Sequence, residues 1–294
     1  MKALETFLKP TQSQLFNQLH KLYRDKAICS KGNYLLVQGE VPVLLVAHLD
    51  TVHEKPVRTI CASQQGNILM SPQGVGGDDR CGVYALVNAY EMSDSKPWLL
   101  FTCDEETGGK GARVFAGDYE EGKLPRILGQ IKMILEVDRR GHQDAVYYDC
   151  GNEEFEAYIT SKGFQTEYGS FSDISVIAPV LGVAAVNLSA GYYNAHTLHE
   201  FIDRRHINAT LEKVVEIIEE ASQEDFPQYE YVEAFWDLLD YYGNIGLPKN
   251  LPEKFKDVYD ALLDFYHPKE LDSYRKTYGN SVLNELYAAV YGGC

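Results

Sequence analysis

Continuous apolar runs, not alternating ones, punctuate the first two-thirds of the chain. Residues 34–37 (YLLV), 43–47 (VLLVA), 98–103 (WLLFTC), 131–137 (IKMILEV) and 183–188 (VAAVNL) are short and apolar at nearly every position. Runs of this kind predict strands buried on both faces. Further short strands are expected at 58–61, 67–70, 145–148 and 155–160. Between them the apolar spacing turns helical. Leu15, Phe16, Leu19 and Leu22 share one face of a helix over 11–23, and helices are also expected over 81–92 and 207–221. Strands alternating with helices predict a three-layer α/β/α domain around a mixed, mostly parallel sheet.

The pattern shifts near Gln223. Aromatic residues are dense from Phe226 to Tyr291, and helical spacing is broken at Gly243, Pro248, Pro252, Pro268 and Gly279. The expected division is an α/β domain over 1–222 and a small helical C-terminal extension over 223–294. In that extension Tyr241, Tyr242, Phe265 and Tyr266 are candidates for a pocket wall, but packing or a homo-oligomer contact through the helices is favoured.

Charge narrows the partners. The 294 residues carry 27 Lys and Arg against 43 Asp and Glu, a net charge of −16. Nucleic acid and anionic membrane both need clustered cations, so neither is expected as a partner; metal ions remain open. No apolar run approaches the roughly 18 residues of a membrane span. Residues 1–16 lack the apolar core of a secretory signal. The six cysteines form no CxxC pair and read as reduced thiols. A cytoplasmic protein is expected.

Polar chemistry gathers where the apolar runs end, which is where open α/β sheets bind ligands. The run 43–47 leads into His48 and Asp50, the run 98–103 into Asp104, Glu105 and Glu106, and the run 131–137 into Asp138. The run 183–188 leads through a loop to His196, and a glycine-rich turn carries Asp78 and Asp79. Each piece alone has a plain structural reading. Asp50, Asp78 or Asp79 suits a helix cap, Glu105 and Glu106 suit a first helical turn, and Asp138 suits a turn. Together they offer imidazoles and carboxylates suited to Zn²⁺, with Mn²⁺ or Co²⁺ as substitutes. Two ions sharing a carboxylate and a hydroxide, with one Glu left to take a proton, make metal-assisted hydrolysis the expected chemistry.

Five motifs then stand in a familiar order: His48-Leu-Asp-Thr-Val52, Gly77-Asp-Asp-Arg-Cys-Gly82, Asp104-Glu-Glu-Thr-Gly108, Val137-Asp138 and Asn194-Ala-His-Thr-Leu-His-Glu200. In this the chain resembles the di-zinc exopeptidase superfamily, which includes bacterial leucyl aminopeptidases, peptidase T and the carboxypeptidase G group. The resemblance spans about Val43 to Ala221, and the wording around Phe101–Ala112 is most similar to peptidase T. It implies that His48 and Asp138 hold one metal ion, Glu106 and His196 the other, and that Asp78 bridges them. It implies further that Asp50 orients His48, that the Asp78–Asp79 peptide is cis, and that Glu105 is the general base. His199 is the alternative to His196, with the four-residue spacing from His196 to Glu200 favouring His196. His20, His53, His142, His206 and His267 read as ordinary histidines.

The stretch from Asp138 to Asp173 is too short for the lid or dimerisation domain that peptidase T-like members insert there. Arg139, Arg140 and the aromatic extension are therefore candidates for binding a substrate carboxylate, with Asp79, Asp173 and His199 near the pocket. Asp173 reads equally as a helix cap. The function implied is an aminopeptidase acting on short peptides through a metal-bridging hydroxide. An N-acyl amino-acid deacylase on the same core and a non-catalytic metal-binding relative are the alternatives.

Overall fold

The computed structural model describes residues 1–53, 55–169, 171–232, 251–262, 266 and 268–291. The chain divides into a larger unit, residues 1–167 with 171–232, and a smaller one holding the residues from 233 onward.

The larger unit is built on an eight-stranded sheet. Its strands are β1 (Ala27–Ser30), β2 (Tyr34–Val37), β3 (Val41–His48), β6 (Pro97–Thr102), β7 (Met133–Arg139), β8 (Asp144–Val146), β9 (Gln165–Glu167) and β10 (Ala185–Ser189). They lie in the order β1-β2-β6-β3-β7-β10-β8-β9. The central four, β6-β3-β7-β10, are parallel, whereas β2 joins β6 and β8 joins β10 antiparallel. A second, antiparallel sheet contains β4 (Cys61–Ala62), β5 (Ile68–Met70), β11 (Tyr192–Tyr193) and β12 (Phe201–Asp203).

Successive residues on a strand face opposite sides, so each apolar run fills two cores. From β3, Val43, Leu45 and Ala47 enter one core, while Leu44 and Val46 enter the other. From β6, Leu99 and Phe101 go one way, Trp98 and Leu100 the other. Helices α3 (Gly77–Met92) and α7 (Arg204–Ala221) cover the first face, and α4 (Lys110–Glu120) and α6 (Ile174–Leu181) the second. This is the expected three-layer α/β/α arrangement. At the N-terminus, α1 (Glu5–Leu8) precedes α2 (Gln12–Leu22), which starts on a capping box of Thr11 and Gln14.

Local structure departs from the sequence pattern in three places. Residues 155–160 form no strand: they lie within helix α5 (Glu153–Ser161). Asn152 accepts the Phe155 N–H as its N-cap, three glutamates fill the first turn, and the buried pair Phe155 and Ile159 is spaced for a helix. Of residues 58–61, only Cys61 joins a strand. Residues 223–232 belong to the larger unit: Tyr229 N–H donates to Lys132 O, its carbonyl accepts from Ala184 N–H, and its ring is buried with that of Phe226.

Helix α3 crosses close beneath β7. A Cβ on Gly82 would stand 2.2 Å from Val137 O and 2.4 Å from an Asp79 carboxylate oxygen. Gly82→Ala is therefore expected to lower stability by about 1–3 kcal/mol, read from urea unfolding.

In the smaller unit, α8 (Lys256–Leu262), α9 (Pro268–Tyr278) and α10 (Val282–Tyr291) enclose Leu251, Phe255, Tyr259, Leu262, Leu271 and Leu283. The Arg275 guanidinium sits 5.7 Å from the Tyr259 ring centroid, and its Nε donates to Asn280 Oδ1. Tyr241, Tyr242 and Phe265 lie outside the described residues. Among the described residues no helix is long and apolar enough to cross a membrane, and all five cysteines are unpaired.

Candidate metal centre

The parallel strands deliver their polar residues to one edge. His48 ends β3, Asp138 lies near the end of β7, and Glu105 and Glu106 follow β6 in a turn. Asp78 sits at the start of α3, its peptide bond to Asp79 cis. His196 stands in the loop between β11 and β12, with a φ of 63°.

Asp78 lies between two imidazoles. Its Oδ1 is 3.1 Å from His48 Nε2 and its Oδ2 is 3.2 Å from His196 Nε2. Asp138 Oδ1 lies 3.4 Å from the same His48 nitrogen, and Glu106 Oε2 lies 3.2 Å from the His196 nitrogen. Four-coordinate zinc with bonds near 2.0–2.1 Å spaces its ligand atoms about 3.3–3.4 Å apart. Among the described residues the groups His48–Asp78–Asp138, Asp78–Glu106–His196 and His48–Glu105–Glu106 are candidate cation sites, the first two sharing Asp78. The donor set is the imidazole and carboxylate mixture of such sites, and Glu106 Oε1 is buried with no hydrogen-bond partner among the described residues. These residues fit divalent metal ions.

Asp50 does two jobs. Its Oδ1 lies 3.2 Å from His48 Nδ1, which fixes the ring with Nε2 facing the carboxylates. Its oxygens also accept the N–H groups of Glu105 and Glu106 at 3.1 and 3.0 Å. Tyr192 adds a hydroxyl that donates to Asp138 O at 3.0 Å and faces Asp138 Oδ1 at 3.3 Å.

Burial and crowding set the protonation states of the metal-free centre. Burial pushes the Glu105 carboxyl up to about 7, helped by Asp173, Glu106 and Asp78 against the pull of His48. Burial and the Asp78 charge push Asp138 well above the usual carboxylate range. Burial opposes the charge on Asp78 too, but the two imidazoles overcome it and hold this carboxyl low. His196 is raised to about 9, chiefly by Asp78.

These directions predict how pH acts on folding. Glu105 rises from 4.5 to about 7, so its share of stability is lost as pH climbs through that interval. His196 rises from 6.5 to about 9, so its share is complete below 6.5 and lost by about 9. Both act in one direction. The chelator-treated protein is expected to lose thermal stability steadily from about pH 5 to about pH 9, and excess zinc to flatten the slope.

A cavity of about 700 Å³ opens over this centre, with Asp78, Glu105, Glu106, Asp138 and His196 in its wall. Arg139 and Arg140 also line it, as do Tyr148, Phe171 and Tyr193. Three other candidates lie elsewhere. Asp79 is fully buried and turned inward, accepting the N–H of Gly82 and of His48. Asp173 is buried at the start of α6, accepts the Thr102 hydroxyl, and is pushed up to about 6 by burial. His199 is exposed and outside the cavity wall.

The sequence pattern missed a buried group behind Asp138. Asn187 Oδ1 accepts the Asp138 N–H at 2.8 Å, Asn187 Nδ2 donates to Ser172 Oγ, and Ser172 Oγ donates to Glu136. Glu136 and Asn187 interrupt otherwise apolar runs, which was the available signal. His53 and Glu200 were missed as partners as well: His53 Nε2 lies 2.8 Å from Glu200 Oε2.

The larger unit thus has a three-layer α/β/α fold with imidazole and carboxylate groups gathered at the strand ends. No protein-family model matches the sequence, and a search of curated proteins finds no match. Solved structures do match. The aminopeptidase PepT from Bacillus cereus is 17% identical, with a TM-score of 0.54 over 75% of this chain and 98% of its own. A TET aminopeptidase from a marine-sediment Thaumarchaeota archaeon is 12% identical, with a TM-score of 0.55 over 74% and 95%. The Pyrococcus horikoshii TET1 peptidase, which can assemble into a tetrahedron or a large octahedral shell, is 14% identical, with a TM-score of 0.51 over 73% and 98%. The likeness is one of fold, shared with structures described as PepT and TET aminopeptidases.

Proposed function

We propose that the chain is a di-metal exopeptidase, an aminopeptidase that removes N-terminal residues from short peptides. The observation that carries this reading is Asp78, whose two oxygens each meet a different imidazole–carboxylate pair while Glu105 stands beside them. Two bound cations, zinc by preference of the donor set, would supply Lewis acidity to the scissile carbonyl and to the attacking water.

The protein's own groups do the rest. Glu105, Oε2 at 3.9 Å from His48 Nε2, takes the proton of the attacking water and passes it to the leaving amine. Burial raises its carboxyl to about 7 without metal, and bound cations would draw it back down, which keeps it ionised and able to accept a proton. Asp50 holds the imidazole and the Glu105–Glu106 backbone together, so base and ligand keep one spacing. Arg139 and Arg140 on the cavity wall suit the free carboxylate of a short peptide. That feature also suits an N-acyl amino acid, which is the second reading. The unpaired cysteines fit a reducing, cytoplasmic setting, and the shells formed by the TET1 neighbour support assembly into a homo-oligomer.

The test is a panel of di- and tripeptides, aminoacyl anilides and N-acetyl amino acids, assayed with Zn²⁺, Mn²⁺ or Co²⁺. Free-amino substrates are expected to be cleaved, the activity to vanish with chelator and to return with metal. Equal or faster cleavage of N-acetyl amino acids would replace this reading with the deacylase. Light scattering on the same preparation reads the assembly.

A further inference from the structure

Glu200 lies beside the metal centre and has no part in the proposed chemistry. It is fully buried. Its Oε2 accepts the Gly76 N–H at 2.8 Å and lies 2.8 Å from His53 Nε2, while its Oε1 accepts the Asp78 N–H at 3.0 Å. A buried carboxylate is costly unless donors surround it, and three do so here.

The surrounding backbone is moulded to this carboxylate. A Cβ on Gly77 would lie 3.2 Å from Glu200 Oε1 and 2.6 Å from Tyr192 Cβ. A Cβ on Gly74, where φ is +82°, would lie 2.2 Å from His53 Nδ1, so the ring rests directly on the glycine turn. Gly76 takes a φ of +64° as its N–H turns to the carboxylate.

We propose that Glu200 is a positioning residue that locks three loops of the metal centre together, with His53 as its supporting partner. His53 follows His48 in the loop after β3. Gly76 and Asp78 belong to the glycine turn, and Glu200 itself ends the loop that carries His196. One carboxylate therefore ties the segments of both imidazoles to the backbone of the residue lying between them. Loss of the tie frees Asp78 to rotate away from one of its two partners, so the shared ligand no longer spans both sites. The inference rests on the di-metal reading above.

The isosteric change Glu200→Gln keeps shape and removes an acceptor. Its amide nitrogen must face an N–H donor, either Asp78 or the pair of Gly76 and His53. Zinc binding by the full chain is measured by competition with a chromophoric chelator, alongside circular dichroism and unfolding of the metal-free protein. E200Q is expected to keep the wild-type fold without metal and to bind zinc about 10–100-fold more weakly. His53→Phe, which removes one donor, is expected to show a smaller loss, and His53→Gln, which restores a donor, to return towards wild type. Wild-type zinc affinity in E200Q overturns the proposal, as does a lower unfolding temperature of the metal-free variant at unchanged affinity, which is a purely structural role. Should E200Q not fold, H53F decides: unchanged affinity refutes, and weakened affinity rescued in H53Q supports. Failure of the wild-type chain to bind two ions would instead sink the di-metal reading.

Discussion

Glu105→Gln is expected to retain two metal ions and to lower kcat by about 10²–10⁴-fold, the usual scale for losing a general base. The amide has the shape of the carboxyl it replaces. The backbone N–H of residue 105 still donates to Asp50, so the neighbouring Glu106 keeps its place. What disappears is the proton acceptor. The variant also discriminates between two roles, because Glu105 forms a possible ligand group with His48 and Glu106. If Glu105 is the base, zinc content measured by elemental analysis stays at two while kcat collapses. If it is a ligand, zinc content falls together with kcat. The pH profile gives a third readout. The acid limb of wild-type kcat is expected at or below about pH 7, because nearby cations favour the ionised carboxylate over the metal-free value. In E105Q that limb should be gone. A variant with wild-type kcat removes Glu105 from the mechanism.

That these side chains gather in one place was legible in the sequence, because most of them follow strand ends. His48, Glu105, Glu106 and Asp138 each interrupt or follow an apolar run, and parallel strands carry such breaks to one edge of the sheet. His48 and Asp50 are two residues apart, close enough for local geometry to decide that they meet. The pairing of His53 with Glu200 was hidden, since 147 positions separate them and neither sits beside an apolar run. The direction of Asp79 was hidden too: adjacent acids read alike, but Asp78 faces the cavity and Asp79 is drawn inward by the Gly82 and His48 N–H groups. In the fold, the four central strands announced themselves through burial on both faces. The edge strand β9 is exposed throughout and carries no apolar signal. Helix α5 is hard to tell from a strand by its short apolar-rich segment alone, and the Asn152 cap is the local signal that favours the helix.

Asp78→Asn should have the second large effect, and it reaches both metal sites at once. The amide retains one carbonyl oxygen, which can serve one side only, and its NH₂ group must face an imidazole nitrogen or the other cation. Zinc content is expected to fall below two and kcat to drop at least about a thousandfold, as befits loss of a shared ligand. The metal-free protein separates this residue from its neighbour Asp138. In the absence of metal, Asp78 is ionised and bonded to both imidazoles, which hold its carboxyl low despite burial. A lowered carboxyl contributes stability above its unfolded value near pH 4, so D78N should unfold at a lower temperature than wild type at pH 7 in chelator. Asp138 is raised by burial and by the Asp78 charge, so its ionisation opposes folding at the same pH. Asp138→Asn should therefore raise the metal-free unfolding temperature while emptying the site shared with His48. Opposite shifts in chelator with a common loss of zinc would mark a centre whose acids repel one another until cations fill it. Shifts of the same sign would mean that the two carboxylates are not coupled through His48 in the way their 3.1 and 3.4 Å spacings imply.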